Sequence, residues 1–255
     1  MTFPIVQDKV TIVTGAAMGM GRETAILFAE AGAKVVVADF NEELGRRTAD
    51  DIVATGGEAM FHKVDISKGV EVEALVTATV AEYGRLDIAV NNAALKPDSS
   101  PIDEFDEQYW DRLMAVDLKG TALCMKHEIL QFVRQGGGTI VNISSINGFK
   151  PTLNSSGYIA AKHGVVGLTR AAALEFGPQN IRVNSIAPGA IRTPMLDAVL
   201  ATQNRTIEEM VPSVSLVGRL GEPREVAQAT LWIASDLASY VHGTTLHVGG
   251  GFELL

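Results

Sequence analysis

Short runs of apolar residues alternate with longer amphipathic segments along the whole chain. Seven of the short runs are rich in β-branched and aliphatic residues, as expected for strands that are buried on both faces of a sheet. They are residues 10–14, 34–39, 58–64, 86–90, 139–144, 181–187 and 245–248. This alternation predicts an α/β fold with a doubly wound, parallel, seven-stranded sheet. Because no linker interrupts it, residues 1–255 are predicted to form a single domain.

The segments between the strands carry apolar residues at helical spacing, and several of them begin or end with helix signals. Ser67 stands where an N-cap is expected and Gly84 where a left-handed C-cap residue is expected, which predicts a helix between them. Residues 106–134 are predicted to form one long helix that ends before a run of three glycines. Further predicted helices are residues 42–54, 155–177 and 224–235.

The first strand leads into a turn that contains Gly15, Gly19 and Gly21, and a helical segment follows the turn. Glycines let the backbone turn tightly and approach a ligand, while the start of a helix offers unpaired N–H groups to a pyrophosphate. Strand, glycine turn and helix together therefore favour a dinucleotide-binding site. For the glycines alone, a turn with a purely structural role is the alternative.

The second strand ends in Asp39, 18 residues after Gly21. A carboxylate about 20 residues beyond the glycine motif can accept hydrogen bonds from the adenosine ribose of a dinucleotide. It would repel a 2′-phosphate, and neither residues 16–18 nor Phe40 supply a basic group to offset that repulsion. Asp39 therefore predicts NAD rather than NADP, with a solvated strand-end acid as the alternative.

Two further strand ends carry polar residues at the edge where doubly wound sheets bind ligands. Asp65 follows the third strand, and Asn91, Asn92 and Ala93 follow the fourth. The small side chains and paired amides suggest a backbone that packs close to a cofactor. Amides that tie neighbouring strands together are the alternative account of the Asn pair, and both accounts can hold.

Tyr158 and Lys162 are four residues apart on a predicted helix, so they lie on the same face. An ammonium group near a phenol favours the phenolate and lowers a pKa that is otherwise about 10. The tyrosine could then exchange a proton with an alcohol or a carbonyl near neutral pH. Ser145, at the end of the fifth strand, would reach the same substrate oxygen. A Tyr–Lys pair at this spacing also occurs by chance, so the remaining motifs decide.

Together these motifs make the chain resemble the short-chain dehydrogenase/reductase family over nearly its whole length. The resemblance rests on Thr14-Gly15-x3-Gly19-x-Gly21, Asn91-Asn92-Ala93, Ser145 thirteen residues before Tyr158-x3-Lys162, and Pro188-Gly189 followed by Thr193. It implies a Rossmann fold and an oxidoreductase that transfers a hydride between NAD(H) and a secondary alcohol or its ketone.

The resemblance also implies residue roles. Tyr158 would be the general acid/base, Ser145 would orient and polarise the carbonyl, and Lys162 would hold the nicotinamide ribose and lower the pKa of Tyr158. Thr193 would bind the carboxamide of the nicotinamide. The implied cofactor-binding residues are Gly15, Met18, Gly19, Met20, Gly21, Asp39, Asp65, Asn91, Ala93, Tyr158, Lys162, Pro188, Ile191 and Thr193.

Three positions depart from the family pattern. Asp117 stands where the family usually has the Asn of its proton-relay tetrad, Ala94 replaces a usual Gly, and Gly249 replaces a usual Asp. A carboxylate at position 117 could still serve, because the family relay uses a water at the backbone carbonyl there, but it would alter the pH dependence. Asp117 is therefore counted with Ser145, Tyr158 and Lys162 as a predicted catalytic residue, and a side chain that points away is the alternative.

Residues 194–218, inserted after the sixth strand, are predicted to form a lid over the nicotinamide. Their apolar residues predict a largely apolar substrate pocket, to which the loop after Ser145 also contributes. The predicted pocket residues are Asn147, Phe149, Met195 and Leu196. An apolar secondary alcohol or ketone fits such a pocket, with cyclic and aryl compounds among the candidates.

The composition of the chain limits which partners and ligands the protein is expected to bind. An excess of 30 acids over 21 bases gives a net charge of −9, which argues against nucleic acid as a partner. The single cysteine, Cys124, has no disulfide partner and is expected to be buried, and the five histidines lack metal-site spacing, so no metal is predicted. The absence of a basic leader and of a long apolar run predicts a cytoplasmic protein that does not enter membranes. The family default is a homotetramer.

The sequence thus predicts an NAD-dependent alcohol dehydrogenase or ketone reductase. The rival hypothesis is an NAD-binding sensor or scaffold protein that keeps the fold with weakened catalysis, for which Asp117 is the only support. An epimerase or dehydratase of the related extended family is disfavoured, because 255 residues leave no room for a larger C-terminal sugar domain.

Overall fold

The computed structural model describes residues 5–255. Residues 1–4 lie outside this part. They belong to the predicted domain and to the N-terminus that is predicted to lack a leader. Within it, seven parallel strands form one sheet in the order β3-β2-β1-β4-β5-β6-β7. The strands are β1 (Val10–Thr14), β2 (Lys34–Asp39), β3 (Glu58–Lys63), β4 (Ile88–Asn91), β5 (Gly138–Ile143), β6 (Ile181–Pro188) and β7 (Thr245–Val248).

Helices cover both faces of the sheet, as expected for right-handed crossovers between parallel strands. They are α1 (Gly19–Glu30), α2 (Glu42–Ala54), α3 (Gly69–Tyr83), α4 (Glu107–Leu113), α5 (Thr121–Gln135), α6 (Ser156–Phe176), α7 (Pro194–Gln203), α8 (Ile207–Val214) and α9 (Pro223–Ala234). A π-helical segment, Met114–Gly120, joins α4 to α5. The predicted doubly wound, single-domain fold is confirmed.

The chain reverses its direction of winding at β1, which pairs with β2 on one side and with β4 on the other. Open α/β sheets bind ligands in the crevice beyond the carboxyl ends of the strands at such a switch point. All five residues of β1 are buried, so the turn that follows is held on a rigid base.

Two apolar layers enclose the sheet. Phe28 of α1 lies fully buried in one layer, together with Val226 and Leu231 of α9. Phe132 of α5 lies fully buried in the other, which also contains Cys124. The predicted burial of that cysteine is therefore confirmed, and both faces of the central strands are covered.

Two details of the predicted helices are wrong. The helix predicted over residues 106–134 is continuous in space, but Met114–Gly120 adopts π-helical bonding within it. Ser67 is not an N-cap, because α3 begins at Gly69 and the Ser67 hydroxyl instead donates to Asp65 Oδ1 at 2.6 Å. The predicted C-cap Gly84 is confirmed, with φ of 80°.

Across residues 5–255, none of the helices is both long enough and apolar enough to cross a lipid bilayer.

Candidate active site

A cleft of about 520 Å³ opens at the carboxyl ends of the central strands, where the winding reverses. Most of the residues predicted to bind the cofactor line it. These are Gly15, Met18, Gly19, Met20, Gly21, Asp39, Asp65, Ala93, Tyr158, Lys162 and Thr193. Residues that are distant in the sequence thus converge on one site.

The glycine turn at the start of the cleft requires glycine for two reasons. Gly15 and Gly19 have φ of +67° and +57°, in the left-handed region that side chains disfavour. A Cβ at Gly15 would also lie 2.7 Å from the Cα of Ala93. The helix α1 begins at Gly19, and its N-cap Met18 makes no side-chain capping bond. The uncapped start of this helix fits the pyrophosphate of a dinucleotide.

Asp39 is fixed at the edge of the same cleft. Its Oδ2 accepts a hydrogen bond from the Ala17 N–H at 2.9 Å, and its Oδ1 accepts one from the Asn41 N–H at 2.8 Å. The adjoining Phe40 is 68% exposed. Each carboxylate oxygen retains a further lone pair, so the group can still accept a bond from a ribose hydroxyl.

Asp65 lies at the end of β3 and also lines the cleft. Its Oδ1 accepts hydrogen bonds from the backbone N–H and the hydroxyl of Ser67, and Lys68 Nζ lies 3.4 Å from its Oδ2. Although burial opposes ionisation, these bonds and this charge hold the pKa of Asp65 below its ordinary value. The group therefore presents a negative charge to the cleft.

The two asparagines after β4 have different roles. Asn92 lines the cleft, and its side-chain amide donates to the carbonyls of Thr14 and Gly15 at 2.9 and 3.2 Å. Asn91 is buried, and its amide donates to Glu128 and Asn142, both at 3.0 Å. The predicted cofactor contact of Asn91 is therefore not available to its side chain, because that side chain faces the protein interior.

Tyr158 and Lys162 line the cleft, and Ser145 lies beside Tyr158 without forming part of the cleft wall. The Nζ of Lys162 lies 5.3 Å from the centroid of the Tyr158 ring and donates to the Ile143 carbonyl at 3.3 Å. The Ser145 hydroxyl lies near enough to Tyr158 to bond its phenolate and lower its pKa, and it accepts from the Asn147 N–H at 3.1 Å. The three groups that the sequence spacing singled out are thus neighbours, although they come from one loop and one helix.

Asp117 is fully buried and faces this group of residues. Its Oδ1 accepts from the Leu95 N–H at 2.8 Å, and its Oδ2, which has no hydrogen-bond partner among the described residues, lies 3.6 Å from Lys162 Nζ. Burial raises the pKa of Asp117, while Lys162 and the Leu95 N–H act in the opposite direction. The alternative in which this side chain points away is therefore wrong.

The balance of charges at Tyr158 differs from the expected one. Burial raises the pKa of Tyr158, Lys162 lowers it, Asp117 raises it and the Ser145 bond lowers it, and the pKa lies above the ordinary value as a result. Lys162 thus acts in the predicted direction, but it does not outweigh burial and Asp117. Spacing in the sequence indicates the contribution of Lys162, whereas the contribution of burial depends on the fold.

Two of the predicted cofactor-binding residues at and after the end of β6, Pro188 and Ile191, are not part of the cleft wall, whereas Thr193 is. Pro188 ends β6, and the buried Ile191 forms a β-bridge with Gly221. Thr193 lines the cleft and caps α7 by accepting from the Leu196 N–H at 3.3 Å. Pro188 and Ile191 therefore remain predictions as cofactor contacts.

One of the four predicted pocket residues, Met195, lines the cleft. Asn147 donates to the Thr152 hydroxyl at 2.9 Å, and the Phe149 ring packs 4.6 Å from the His247 ring, centroid to centroid. Neither of these residues nor Leu196 forms part of the cleft wall.

Sequence analysis missed several residues of the cleft wall, among them Arg112, Val116 and Ser144. The two helical residues enter the cleft through the π-helical segment and the end of α4, which no sequence signal indicated. Within residues 5–255 there is no cluster of His, Cys, Asp or Glu that could hold a metal ion.

Comparison with known proteins agrees with the geometry of this site. A family model described as enoyl-(acyl carrier protein) reductase matches residues 15–253. The short chain dehydrogenase/reductase astE of Aspergillus oryzae is 49% identical over 98% of this chain and 96% of its own length. The 2,5-dichloro-2,5-cyclohexadiene-1,4-diol dehydrogenase of Sphingobium indicum is 42% identical over 97% and 98% of the two chains.

The crystal structure of levodione reductase has the same fold, with a TM-score of 0.94 and 36% identity over 97% of this chain and 98% of that chain. Proteins of this kind are oxidoreductases that typically bind a nicotinamide cofactor. The motifs, the seven-stranded sheet and these relatives have one explanation. The chain belongs to the short-chain dehydrogenase/reductase family.

Proposed function

We propose that this protein is an NAD-dependent dehydrogenase that interconverts an apolar, cyclic secondary alcohol and its ketone. The observation that carries the proposal is that Tyr158 and Lys162 line the same cleft as the glycine turn, with Ser145 beside Tyr158. A proton-transfer group and a dinucleotide cradle in one cavity are what alcohol oxidation requires.

Each polar side chain has a distinct task in this proposal. Tyr158 takes the hydroxyl proton of the alcohol during oxidation and returns it to the carbonyl oxygen during reduction. The Ser145 hydroxyl bonds the same substrate oxygen and orients it. Lys162 stabilises the phenolate of Tyr158 by its charge, and Asp117 sets how strongly Lys162 does so. Bound NAD supplies the hydride acceptor.

The choice of NAD rests on Asp39. Its carboxylate is held in place by two backbone N–H groups at the edge of the cleft, where it would repel a 2′-phosphate. The glycine turn and the uncapped start of α1 would hold the pyrophosphate. Asp65, Ala93, Pro188, Ile191 and Thr193 complete the proposed cofactor contacts.

A double variant tests the cofactor preference. Asp39→Ala combined with Phe40→Arg removes the repulsion and adds a partner for the phosphate, so kcat/KM for NADP should rise relative to NAD by about tenfold or more. Phe40→Ala alone is the control and should leave the preference unchanged. If the unmodified protein already prefers NADP, the role proposed for Asp39 is wrong.

The substrate class rests on the cleft wall and on the relatives. Ala94, Leu95, Val116 and Met195 give part of the wall an apolar character. One of the relatives named above acts on a cyclic diol, as its name states. We extend this to a cyclic secondary alcohol as the substrate of this protein. Residues 194–218 would form a lid over the substrate, and Asn147, Phe149 and Leu196 would reach the substrate once the lid closes. A homotetramer in the cytoplasm is the proposed setting.

The test is to incubate the protein with NAD and a panel of secondary alcohols while recording absorbance at the NADH band. Cyclic alcohols should give higher kcat/KM than open-chain alcohols of the same carbon number. NADH binding without turnover across the panel would favour the rival function, an NAD-binding sensor. Turnover limited to open-chain alcohols would overturn the substrate class while leaving the reaction class intact.

A further inference from the structure

The helix that carries Tyr158 lacks a cap of its own. The N-cap position of α6 is Ser155, a residue type that commonly caps by accepting bonds from the N–H groups two and three residues later. Its side chain makes no such bond. The Ser155 hydroxyl instead donates to the backbone carbonyls of Asp98 and Leu153 at 3.3 and 3.4 Å. The first N–H groups of α6 therefore need an acceptor from elsewhere.

That acceptor is Asp98, which lies about 60 residues earlier, in the loop between β4 and α4. Its Oδ1 accepts from the N–H of Tyr158 at 2.9 Å, and its Oδ2 accepts from the N–H of Gly157 at 3.0 Å. The Ser156 hydroxyl lies 3.4 Å from the same Oδ2. One carboxylate thus occupies the place of a local cap, with the favourable negative charge that a helix start attracts.

The packing around the contact between Asp98 and α6 leaves little room for either to move. A Cβ at Gly157 would lie 3.0 Å from the Trp110 ring and 3.5 Å from Asp98 Oδ1, so the absence of a side chain lets α6 approach both. The loop that carries Asp98 is held at two more points. The Leu95 N–H donates to Asp117 at 2.8 Å, and the Tyr109 hydroxyl donates to the Lys96 carbonyl at 2.6 Å.

The same loop forms part of the cleft wall through Ala94 and Leu95. Its position is therefore linked to the proposed substrate site at one end and, through Asp98, to the first turn of α6 at the other.

We propose that Asp98 is a positioning residue for Tyr158. Its carboxylate binds the peptide N–H of the tyrosine itself, and so it fixes the first turn of α6 and the direction of the phenol toward Ser145. This inference rests on the proposed function, because it assigns a task relative to proton transfer by Tyr158. Without the carboxylate, two N–H groups lose their acceptors and the turn that carries the phenol loosens.

The test compares Asp98→Ala and Asp98→Asn with a matched control. Asp106 caps α4 in the usual local way, with its Oδ1 accepting from the N–H groups of Gln108 and Tyr109 at 2.9 and 3.2 Å. Asp106→Ala therefore removes a carboxylate cap from a neighbouring helix while leaving the Gly157 and Tyr158 N–H groups bound to Asp98. Thermal unfolding, NADH binding, kcat and KM are measured for all three variants well below their unfolding temperatures.

Asp98→Ala should lower kcat by about tenfold or more while KM for NAD changes less than twofold, because misplacement of a catalytic group acts on the chemical step. Asp98→Asn keeps one acceptor oxygen and should fall between wild type and Asp98→Ala. Asp106→Ala should lower the unfolding temperature and leave kcat unchanged. If Asp98→Ala and Asp106→Ala lose similar stability and both keep the wild-type kcat, Asp98 is a structural cap only and the proposal is wrong.

Amide hydrogen exchange separates this inference from the proposed function. In Asp98→Ala, or in Asp98→Asn if the alanine variant does not fold, the peptide that covers residues 153–162 should exchange faster than in wild type, and in Asp106→Ala it should not. If the Asp98 variant exchanges faster but the wild-type protein oxidises no alcohol, the contact between Asp98 and α6 exists and the proposed function is wrong. Unchanged exchange would overturn the Asp98 proposal whatever the activity.

Discussion

Asp117 and Glu128 are carboxyl groups that the fold removes almost completely from water, and each is held differently. Asp117 lies 3.6 Å from Lys162 Nζ and accepts one backbone hydrogen bond. Among residues 5–255, Glu128 forms no ion pair, and it accepts from the Asn91 amide at 3.0 Å. A buried acid favours its neutral form unless a positive charge stabilises it, so the two residues should respond to pH in different ways.

Asp117 should control the pH dependence of oxidation through Tyr158. Its negative charge raises the pKa of Tyr158, so Asp117→Asn should lower that pKa. Oxidation needs the phenolate as base, and the alkaline rise in kcat/KM should therefore move to lower pH, by about one unit. NAD affinity should change little.

Asp111→Asn, which removes an exposed carboxylate from α4, is the control and should leave the profile in place. Profiles of kcat/KM against pH are measured for both variants and for wild type. Superimposable curves for Asp117→Asn and wild type would eliminate the electrostatic role.

Glu128 should make the protein less stable as the pH rises. Burial raises the pKa of Glu128 from 4.5 to about 8, so the folded state holds a proton that the unfolded state releases. The contribution of Glu128 to the free energy of unfolding should therefore be highest below about pH 4.5. Between about pH 4.5 and pH 8 it should fall by up to about 1.4 kcal/mol per pH unit, and above that range it should level off. Glu128→Gln keeps the shape and removes this dependence.

Urea unfolding at several pH values measures the difference. The advantage of Glu128→Gln over wild type should grow with pH, whereas Glu82→Gln, at an exposed position, should show no such trend. A constant difference between Glu128→Gln and wild type would show that Glu128 does not carry the proton.

At the scale of elements, the sheet and most helix bounds were predictable, whereas the side chains that cap two of the helices were not. Strands buried on both faces produce apolar runs that identify them directly. The π-helical segment Met114–Gly120 has no distinct residue pattern, and it brings Asp117 toward Lys162. Capping depends on competition between acceptors. The Ser67 hydroxyl donates to Asp65, and α6 takes its cap from Asp98, which no local rule can foresee.

The residues of the site could also be predicted only in part from the sequence. Spacing placed Tyr158 and Lys162 on one face, and the strand, glycine and helix pattern indicated the turn. The position of Ser145 at a strand end pointed to the same site, and the family pattern then implied its role. The inward direction of Asn91 agrees with the alternative in which the Asn pair ties neighbouring strands together, because its amide donates to Asn142 of β5 and to Glu128 of α5. Sequence patterns identify which residue types carry the chemistry, while burial and the network of partners set their orientation and charge.

The glycine turn after β1 provides a test at this scale. Gly15→Ala places a side chain at a φ of +67° and within 2.7 Å of the Ala93 Cα, so it should lower stability and also weaken NADH binding by about tenfold or more. Gly84→Ala is the matched control, because its φ is +80° but nothing lies within 4 Å of the added Cβ.

The control should therefore lose about 1 kcal/mol of stability and keep its NADH affinity. Both quantities follow from denaturant unfolding and NADH fluorescence titration. Equal NADH affinity in Gly15→Ala and Gly84→Ala would contradict a cradle role for the turn.

The whole molecule is organised around the point where the winding of the sheet reverses. The glycine turn after β1 and the loop after β4 lie side by side there, where the Asn92 amide donates to the Gly15 carbonyl, and Ser145 follows the end of β5. The residues proposed to hold the cofactor and to transfer the proton therefore lie at one end of the sheet, which explains why distant residues converge on one cleft.

The measurement that tests the central claim most directly is NADH formation from a cyclic secondary alcohol by wild type and by Tyr158→Phe. Wild type should produce NADH, and Tyr158→Phe should lose about a hundredfold or more in kcat while binding NADH as tightly as wild type, because only the proton-transfer group is removed. Equal turnover by the two proteins, or no NADH from any alcohol despite tight NADH binding, would contradict the proposed function.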